Sequence, residues 1–186
     1  MVSRKLYISD LHIGHDKIIR FDGRPFSDLE QMCRRLTANW NSAVYPCDEV
    51  YILGDMFWKN TGAAEILEKL NGNKFLIKGN HDKITSEMES FFVWIKEYGE
   101  IEDKGRKVIL CHYPIAHWNG ADRGSIHLYG HIHCGRDMEP FSEYTERMKA
   151  RGMLYECYNV GCMMPYMDYT PRTLDEIIEY NELFWE

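Results

Sequence analysis

The stretch Arg4-Lys-Leu-Tyr-Ile-Ser9, followed by Asp10-Leu-His12-Ile-Gly14-His15, decides how the rest of the chain is read. A short strand with an apolar centre gives way abruptly to a cluster of residues of metal-ligand type. The same event recurs. Glu49-Val-Tyr-Ile-Leu53 stops at Gly54-Asp55, and Lys74-Phe-Leu-Ile-Lys78 stops at Gly79-Asn80-His81-Asp82. Lys107 to Cys111 stops at His112-Tyr-Pro114, and Ile126 to Tyr129 stops at Gly130-His131-Ile-His133.

Helical patterns lie between the first three strands. A capping box at Ser27-Asp-Leu-Glu30 precedes Leu29, Met32, Cys33, Leu36 and Trp40 at helical spacing. Ala63 to Asn71 reads as a second helix, with Gly72 as its stop. Strands alternating with helices predict an α/β fold that begins with parallel strands. In the second half, Val93 to Ile101 and Lys107 to Cys111 flank a hairpin turn at Glu102-Asp-Lys-Gly-Arg106. A helix is expected over Phe141 to Ala150 and a last strand over Leu154 to Val160. A final helix follows a second capping pattern at Thr173-Leu-Asp-Glu176. The expected architecture is a mixed sheet system with helices on the outside, in one domain spanning residues 1–186.

Composition narrows the function classes. With 186 residues the chain can bury a core without staples, and 45% hydrophobic residues exclude wholesale disorder. A net charge of −7 argues against a general electrostatic grip on nucleic acid, though a local basic patch stays open. The longest uncharged stretch, Val108 to Ala121, contains His112, Pro114 and His117 and is too short and polar to span a bilayer. The opening residues carry charge at once and lack an apolar signal core, so a cytoplasmic protein without a membrane partner is expected. None of Cys33, Cys47, Cys111, Cys134, Cys157 and Cys162 forms a Cys-x-x-Cys pair, and free thiols are the expected state. A thiolate site at Cys157 and Cys162 is a third, minor reading.

In open α/β sheets, ligands gather beyond the carboxyl ends of strands. Five strand ends here bring Asp10, His12, Asp55, Asn80, His81, His112, His131 and His133 toward one place. Each cluster alone has a bland explanation in turn or edge hydrogen bonding. His131 and His133 share a strand face only because the side-chain period is two. The conjunction of all five is what points to a site. Mixed imidazole and oxygen donors suit Zn, Fe, Mn, Ni or Co better than Ca or Mg. The set exceeds one tetrahedral site and suits two ions roughly 3.5–4 Å apart, an arrangement that clamps an in-line displacement at phosphorus.

Taken in order, Asp10-x-His12, Gly54-Asp55, Gly79-Asn80-His81-Asp82, His112 and Gly130-His131-x-His133 resemble the motif set of calcineurin-like metallophosphoesterases. The opening Ser9 to His15 and the tail from Tyr158 to Asp175 resemble a small bacterial or phage branch of that family. The resemblance implies a four-layer α/β/β/α sandwich of two mixed sheets, with a dinuclear metal site at the strand ends. It implies that Asp10, His12 and His133 hold the first of two divalent or mixed-valence transition metal ions (Mn, Fe, Zn or Ni). Asn80, His112 and His131 would hold the second, and Asp55 would bridge them. His81 would bind no metal but would sit over the phosphate as the catalytic group, stabilising charge or protonating the leaving oxygen. A metal-bound hydroxide would be the nucleophile.

One departure matters. Phosphoprotein phosphatases of the family carry Gly-Asp-x-x-Asp-Arg-Gly, whereas this chain has Gly54-Asp55-Met-Phe-Trp58-Lys59-Asn60. The Asp and Arg are missing, so His81 loses its usual carboxylate partner and the phosphate loses a guanidinium. A protein phosphatase is disfavoured. The expected substrate is a small phosphate ester, preferably a phosphodiester or nucleotide. A phosphomonoesterase and a non-catalytic scaffold are the alternatives.

The remaining candidates lie near these motifs. His15 stands as a pocket-lining residue or a support, His117 as a pocket-lining residue or a plain loop residue, and His127 as a packed or exposed sheet residue. Arg20, Arg24, Lys59 and Arg123 are candidates to hold phosphate oxygens. Trp58, Tyr113 and Trp118 are candidates for base stacking, with core or rim packing as the plainer role for each. Asp82 has no assigned role.

Overall fold

The computed structural model describes residues 3–136 and 138–185. Two mixed sheets carry the fold. The first has the order β4-β3-β2-β1-β9, from Phe92–Lys96, Asn73–Ile77, Glu49–Leu53, Lys5–Ile8 and Arg172–Thr173. Strands β1 to β4 run parallel, and β9 is antiparallel to β1. The second has the order β5-β6-β7-β8, from Tyr98–Asp103, Arg106–Cys111, Ile126–Tyr129 and Glu156–Asn159. Its β5–β6 pair is an antiparallel hairpin, and β6, β7 and β8 run parallel. The helices are α1 (Ile18–Phe21), α2 (Leu29–Ala43), α3 (Ala63–Lys69), α4 (Ser86–Glu89), α5 (Met138–Ala150) and α6 (Leu174–Trp185). None of them is long and apolar enough to cross a membrane.

Side-chain alternation separates the layers. In β6, Val108 and Leu110 belong to the large core shared with the first sheet, whereas Ile109 faces a second cluster with Trp118, Ala121 and Tyr155. Tyr144 and Met148 of α5 cover that outer cluster. The parallel strands β1 and β2 are buried along nearly their whole length, as expected when both faces are covered. Met32, Leu36 and Trp40 of α2 close the other side of the first sheet. The result is the α/β/β/α order that the family resemblance implies.

Two local expectations need correction. The run Val93 to Ile101 is two strands, because the chain leaves the first sheet after Lys96 and enters the second at Tyr98. Strands commonly change sheets at such a corner, and here the charged, exposed pair Lys96-Glu97 marks it. Gly99 makes the crossing close, lying against both Ile77 and Leu110. The α2 cap is displaced by one residue: Asp28 accepts from the Gln31 N–H at 2.8 Å, while the Gln31 side chain accepts from the Ser27 N–H at 2.6 Å. Three element boundaries also shift by a few residues, to Ala63–Lys69, Met138–Ala150 and Glu156–Asn159. The Thr173 cap forms as read, with Glu176 reaching back to the Thr173 N–H at 2.8 Å.

The sheets are stitched together where the polar clusters begin. Ser9 bridges to Gly161, and the Cys162 N–H donates to the Ser9 carbonyl at 2.8 Å. The ends of β1 and β8 are thereby held side by side, which brings the loops of both sheets to one edge.

Candidate metal centre

Asp10, His12 and His133 place ligating atoms within 4.8 Å of one another, and so do Asp55, His112 and His131. Asn80 joins the second group, with its Oδ1 at 3.1 Å from His112 Nε2. The carboxylate of Asp55 lies between the groups, its Oδ2 at 3.6 Å from His12 Nε2 and 3.5 Å from His112 Nε2. All seven residues expected as ligands therefore converge. Asp10, His12, Asp55 and His112 form a buried floor, while His131 and His133 are half-buried and Asn80 is exposed at the mouth.

The backbone shows what this convergence requires. Asp10, His12, Asp55, His131 and His133 adopt left-handed conformations, with φ of 56°, 49°, 52°, 70° and 48°. L-residues rarely occupy this region, and such strain persists only where the surroundings impose it. Glycines provide the clearance. A Cβ on Gly79 would fall on the Asp55 carboxylate, and one on Gly130 would fall on Ser9 Oγ and the Asp10 carboxylate.

The chemistry of the donor set fits cations. His133 Nδ1 is 2.8 Å from Asp22 Oδ1, and His112 Nδ1 is 2.7 Å from the Leu53 carbonyl. Both partners are acceptors, so each Nδ1 donates and each neutral Nε2 keeps a lone pair. The His112 lone pair faces further acceptors, Asn80 Oδ1 and Asp55 Oδ2, and His133 Nε2 lies 3.2 Å from His12 Nε2. Acceptors aimed at acceptors need a proton or a cation between them.

Burial and charge act differently on the individual groups. Burial pushes the His12 imidazole down to about 3, keeping it neutral, and burial lowers His131 too. Burial pushes Asp10 up. Burial works the same way on Asp55, but the His112 hydrogen bond and charge win and bring it to about 2. Burial would lower His112 and His133, yet the first is raised by Asp55 and Asp10, and the second by Asp22 and Asp10.

The remaining candidates separate. His81 stands at the mouth, half-buried, with its N–H donating to Asp55 Oδ1 at 2.9 Å and its Nε2 at 3.9 Å from Asp55 Oδ2. Arg24 is no phosphate holder. It is buried beneath the site, donating to the Asp10 and Leu11 carbonyls at 2.8 and 2.9 Å and to Asp22. Arg123 pairs with its neighbour Asp122, and Arg20 and Lys59 are exposed. His15 is buried behind Trp58, their rings stacked at 3.9 Å. His117 is exposed and lines a recess with Tyr98, Asn119 and Arg123. His127 is fully buried, with its Nε2 accepting from the Ile115 N–H at 3.1 Å. Trp118 is core, whereas Trp58 and Tyr113 are exposed, Tyr113 with its ring 4.5 Å from that of His131. The thiolate reading of Cys157 and Cys162 does not hold: burial pushes both thiols up to about 12, and Cys162 Sγ donates to the Asp10 carbonyl.

Two supports lie outside the sequence reading. Asp22, on the loop after α1, fixes the His133 ring and is itself gripped by Arg24. Asp82 ties two ligand loops together, accepting from the N–H groups of Asp55, Met56 and Gly79 at 2.8, 3.0 and 2.9 Å. Asp82 could have been found from its place in Asn80-His81-Asp82. Asp22 is announced by no motif.

A family model, the calcineurin-like phosphoesterase superfamily domain, matches residues 4–172. The chain belongs to that superfamily. Within reach of this calcineurin-like chain is an uncharacterized protein of Methanocaldococcus jannaschii, 35% identical over 98% of this chain and 94% of the relative. The Gene 66 protein of Mycobacterium phage L5 is 29% identical over 71% of this chain and 78% of its own. Among solved structures, a protein of unknown function from Aquifex aeolicus superposes with a TM-score of 0.70 at 25% identity, covering 96% of this chain and 99% of that one.

Proposed function

We propose that this calcineurin-like protein is a phosphoesterase dependent on two divalent or mixed-valence transition metal ions, acting on a small phosphodiester or nucleotide. The observation that carries the reading is the Asp55 carboxylate standing between two donor groups whose lone pairs converge. Asp10, His12 and His133 would hold one ion, Asn80, His112 and His131 the other, with Asp55 between. Two such cations would supply Lewis-acid stabilisation of phosphate charge and ionise a water at neutral pH.

The chain's own residues supply the rest. Arg24 and Asp22 lock the His133 tautomer, and Asp82 locks the turn that carries Asp55. His81, at the open side, is placed to donate a proton to the leaving oxygen. The diester preference is supported by Arg24, whose guanidinium is committed beneath the floor instead of facing an incoming phosphate. A diester brings one negative charge, and a monoester brings up to two.

A protein phosphatase is disfavoured, because Trp58-Lys59-Asn60 stands where those enzymes carry Asp-Arg-Gly. A small substrate accords with the net charge of −7, which does not favour long nucleic acid. Six free cysteines accord with a cytoplasmic setting.

The test is metal content per chain, measured beside hydrolysis of bis(p-nitrophenyl) phosphate and p-nitrophenyl phosphate with Mn, Fe, Ni, Zn and Mg. The expected result is two ions per chain and faster cleavage of the diester. Faster cleavage of the monoester would replace the diester reading with a phosphomonoesterase. Fewer than two ions with neither ester cleaved would end the enzyme reading.

A further inference from the structure

We propose that Trp58 is the positioning residue of His81: its indole, stacked on His15, fixes the imidazole over the Asp55 carboxylate where a carboxylate partner is lacking. The inference rests on the phosphoesterase reading above. Among the described residues, no hydrogen bond reaches the His81 ring. The neighbouring acids are committed elsewhere. Asp82 faces three backbone N–H groups, and Asp55 Oδ1 takes the His81 N–H. Asp55 Oδ2, at 3.9 Å from His81 Nε2, is closer to His12 and His112.

The ring packs on Trp58, at 4.5 Å between centroids and 48° between planes, and lies farther from the His12 ring, at 5.6 Å. Trp58 is firmly mounted. Its backbone N–H donates to the Ile13 carbonyl at 2.9 Å, next to the Ile13–Phe57 bridge, and Phe57 is buried. The indole also stacks on His15 at 3.9 Å and 22°, and the buried His15 is tied by its backbone N–H to the His12 carbonyl. Trp58 therefore packs on both imidazoles, His15 and His81, from a fixed backbone. A free imidazole samples several rotamers, and a rigid aromatic wall favours one of them without changing the charge of the site. Since a misplacement of about 1 Å at a reacting group can cost about 10²-fold, this packing is worth a factor of that order in turnover.

The experiment compares Trp58→Ala, Trp58→Phe, His81→Ala and the Trp58→Ala/His81→Ala double variant, on the diester with Mn. Metal content is measured for each. Trp58→Ala is expected to lower kcat by about 10–100-fold with KM within about twofold, and Trp58→Phe to recover most of it. In the His81→Ala background, Trp58→Ala should change kcat by less than about twofold, because its effect runs through His81. Independently of activity, histidine-labelled, metal-free protein should show a ring-current displacement of the His81 C–H resonances that Trp58→Ala abolishes. An equal loss in both backgrounds, or a loss confined to KM, would make Trp58 a substrate contact and overturn the proposal. An unmoved His81 resonance would overturn it as well, even if the wild type cleaved no ester and the phosphoesterase reading failed.

Discussion

At the scale of single residues, the candidate site depends on side chains that lie behind the candidate ligands. Asp22 accepts from His133 Nδ1 and is held by Arg24, which also caps the carbonyls of Asp10 and Leu11. This chain of contacts sets the direction in which the His133 lone pair points. Replacing Asp22 by Asn should lower metal affinity about 10–100-fold with the fold retained, read by competitive titration with a chromophoric chelator. His81 predicts the converse: His81→Ala should keep both ions and lower turnover by about 10²–10⁴-fold. A variant with full metal and an unchanged rate would remove His81 from the chemistry. The residue types at strand ends were legible in the sequence because ligands must be His, Asp or Asn. Asp22 and Arg24 were not, because a support works through where the fold happens to bring it. Asp22 sits on an ordinary loop, and Arg24 looks like any surface arginine until burial shows its role.

At the scale of elements, the strands that end in ligands could be read because each is an apolar run of four to six residues with an abrupt stop. The corner at Glu97 was not read, because a single charged pair, Lys96-Glu97, does not by itself tell a bend within one strand from a change of pairing partner from β3 to β6. One buried acid ties the opening elements together. Asp48 accepts from the Arg4 N–H at 3.0 Å, from the Arg4 guanidinium at 2.5 Å and from the Tyr45 N–H at 2.9 Å. It thus joins the start of β1, the end of α2 and the entry to β2. Burial pushes the Asp48 carboxyl up, but the Arg4 and Tyr45 hydrogen bonds prevail and hold it below its ordinary 3.8. A lowered folded-state value means that this contribution is present above the unfolded value and is lost as pH falls through the folded one. Asp48→Asn should therefore destabilise at neutral pH, by about 1–3 kcal/mol, and flatten the stability curve below pH 4. Denaturant melts at pH 7 and pH 3 would check it, and parallel curves for wild type and variant would remove Asp48 from acid unfolding.

At the scale of the whole molecule, the two sheets are independent ladders that meet at one edge, and the candidate site sits on that meeting. The His131 N–H reaches the Asp10 carboxylate at 3.1 Å across the sheets, and His12 faces His133 in the same way. Five ligand residues at positive φ and several lone pairs facing one another are unfavourable for the chain alone. Cations bound as proposed would relieve the second cost and cross-link the sheets. Their binding to the folded state only should stabilise by about 2.7 kcal/mol at 100 times Kd. For a chain of 150–250 residues that is a rise in Tm of about 5–10 °C, at roughly 2–4 °C per kcal/mol. The comparison is chelator-treated against Mn-loaded protein at matched ionic strength, because a net charge of −7 attracts counterions anyway. Asp55→Asn separates the two effects. It leaves the overall acidity almost unchanged and removes the charge between the donor groups, so its Mn-dependent gain should fall to less than about half of the wild-type gain, with metal content falling in parallel. An equal gain in both proteins would mean that Mn acts on the acidic surface at large and that the sheets are not joined through this site.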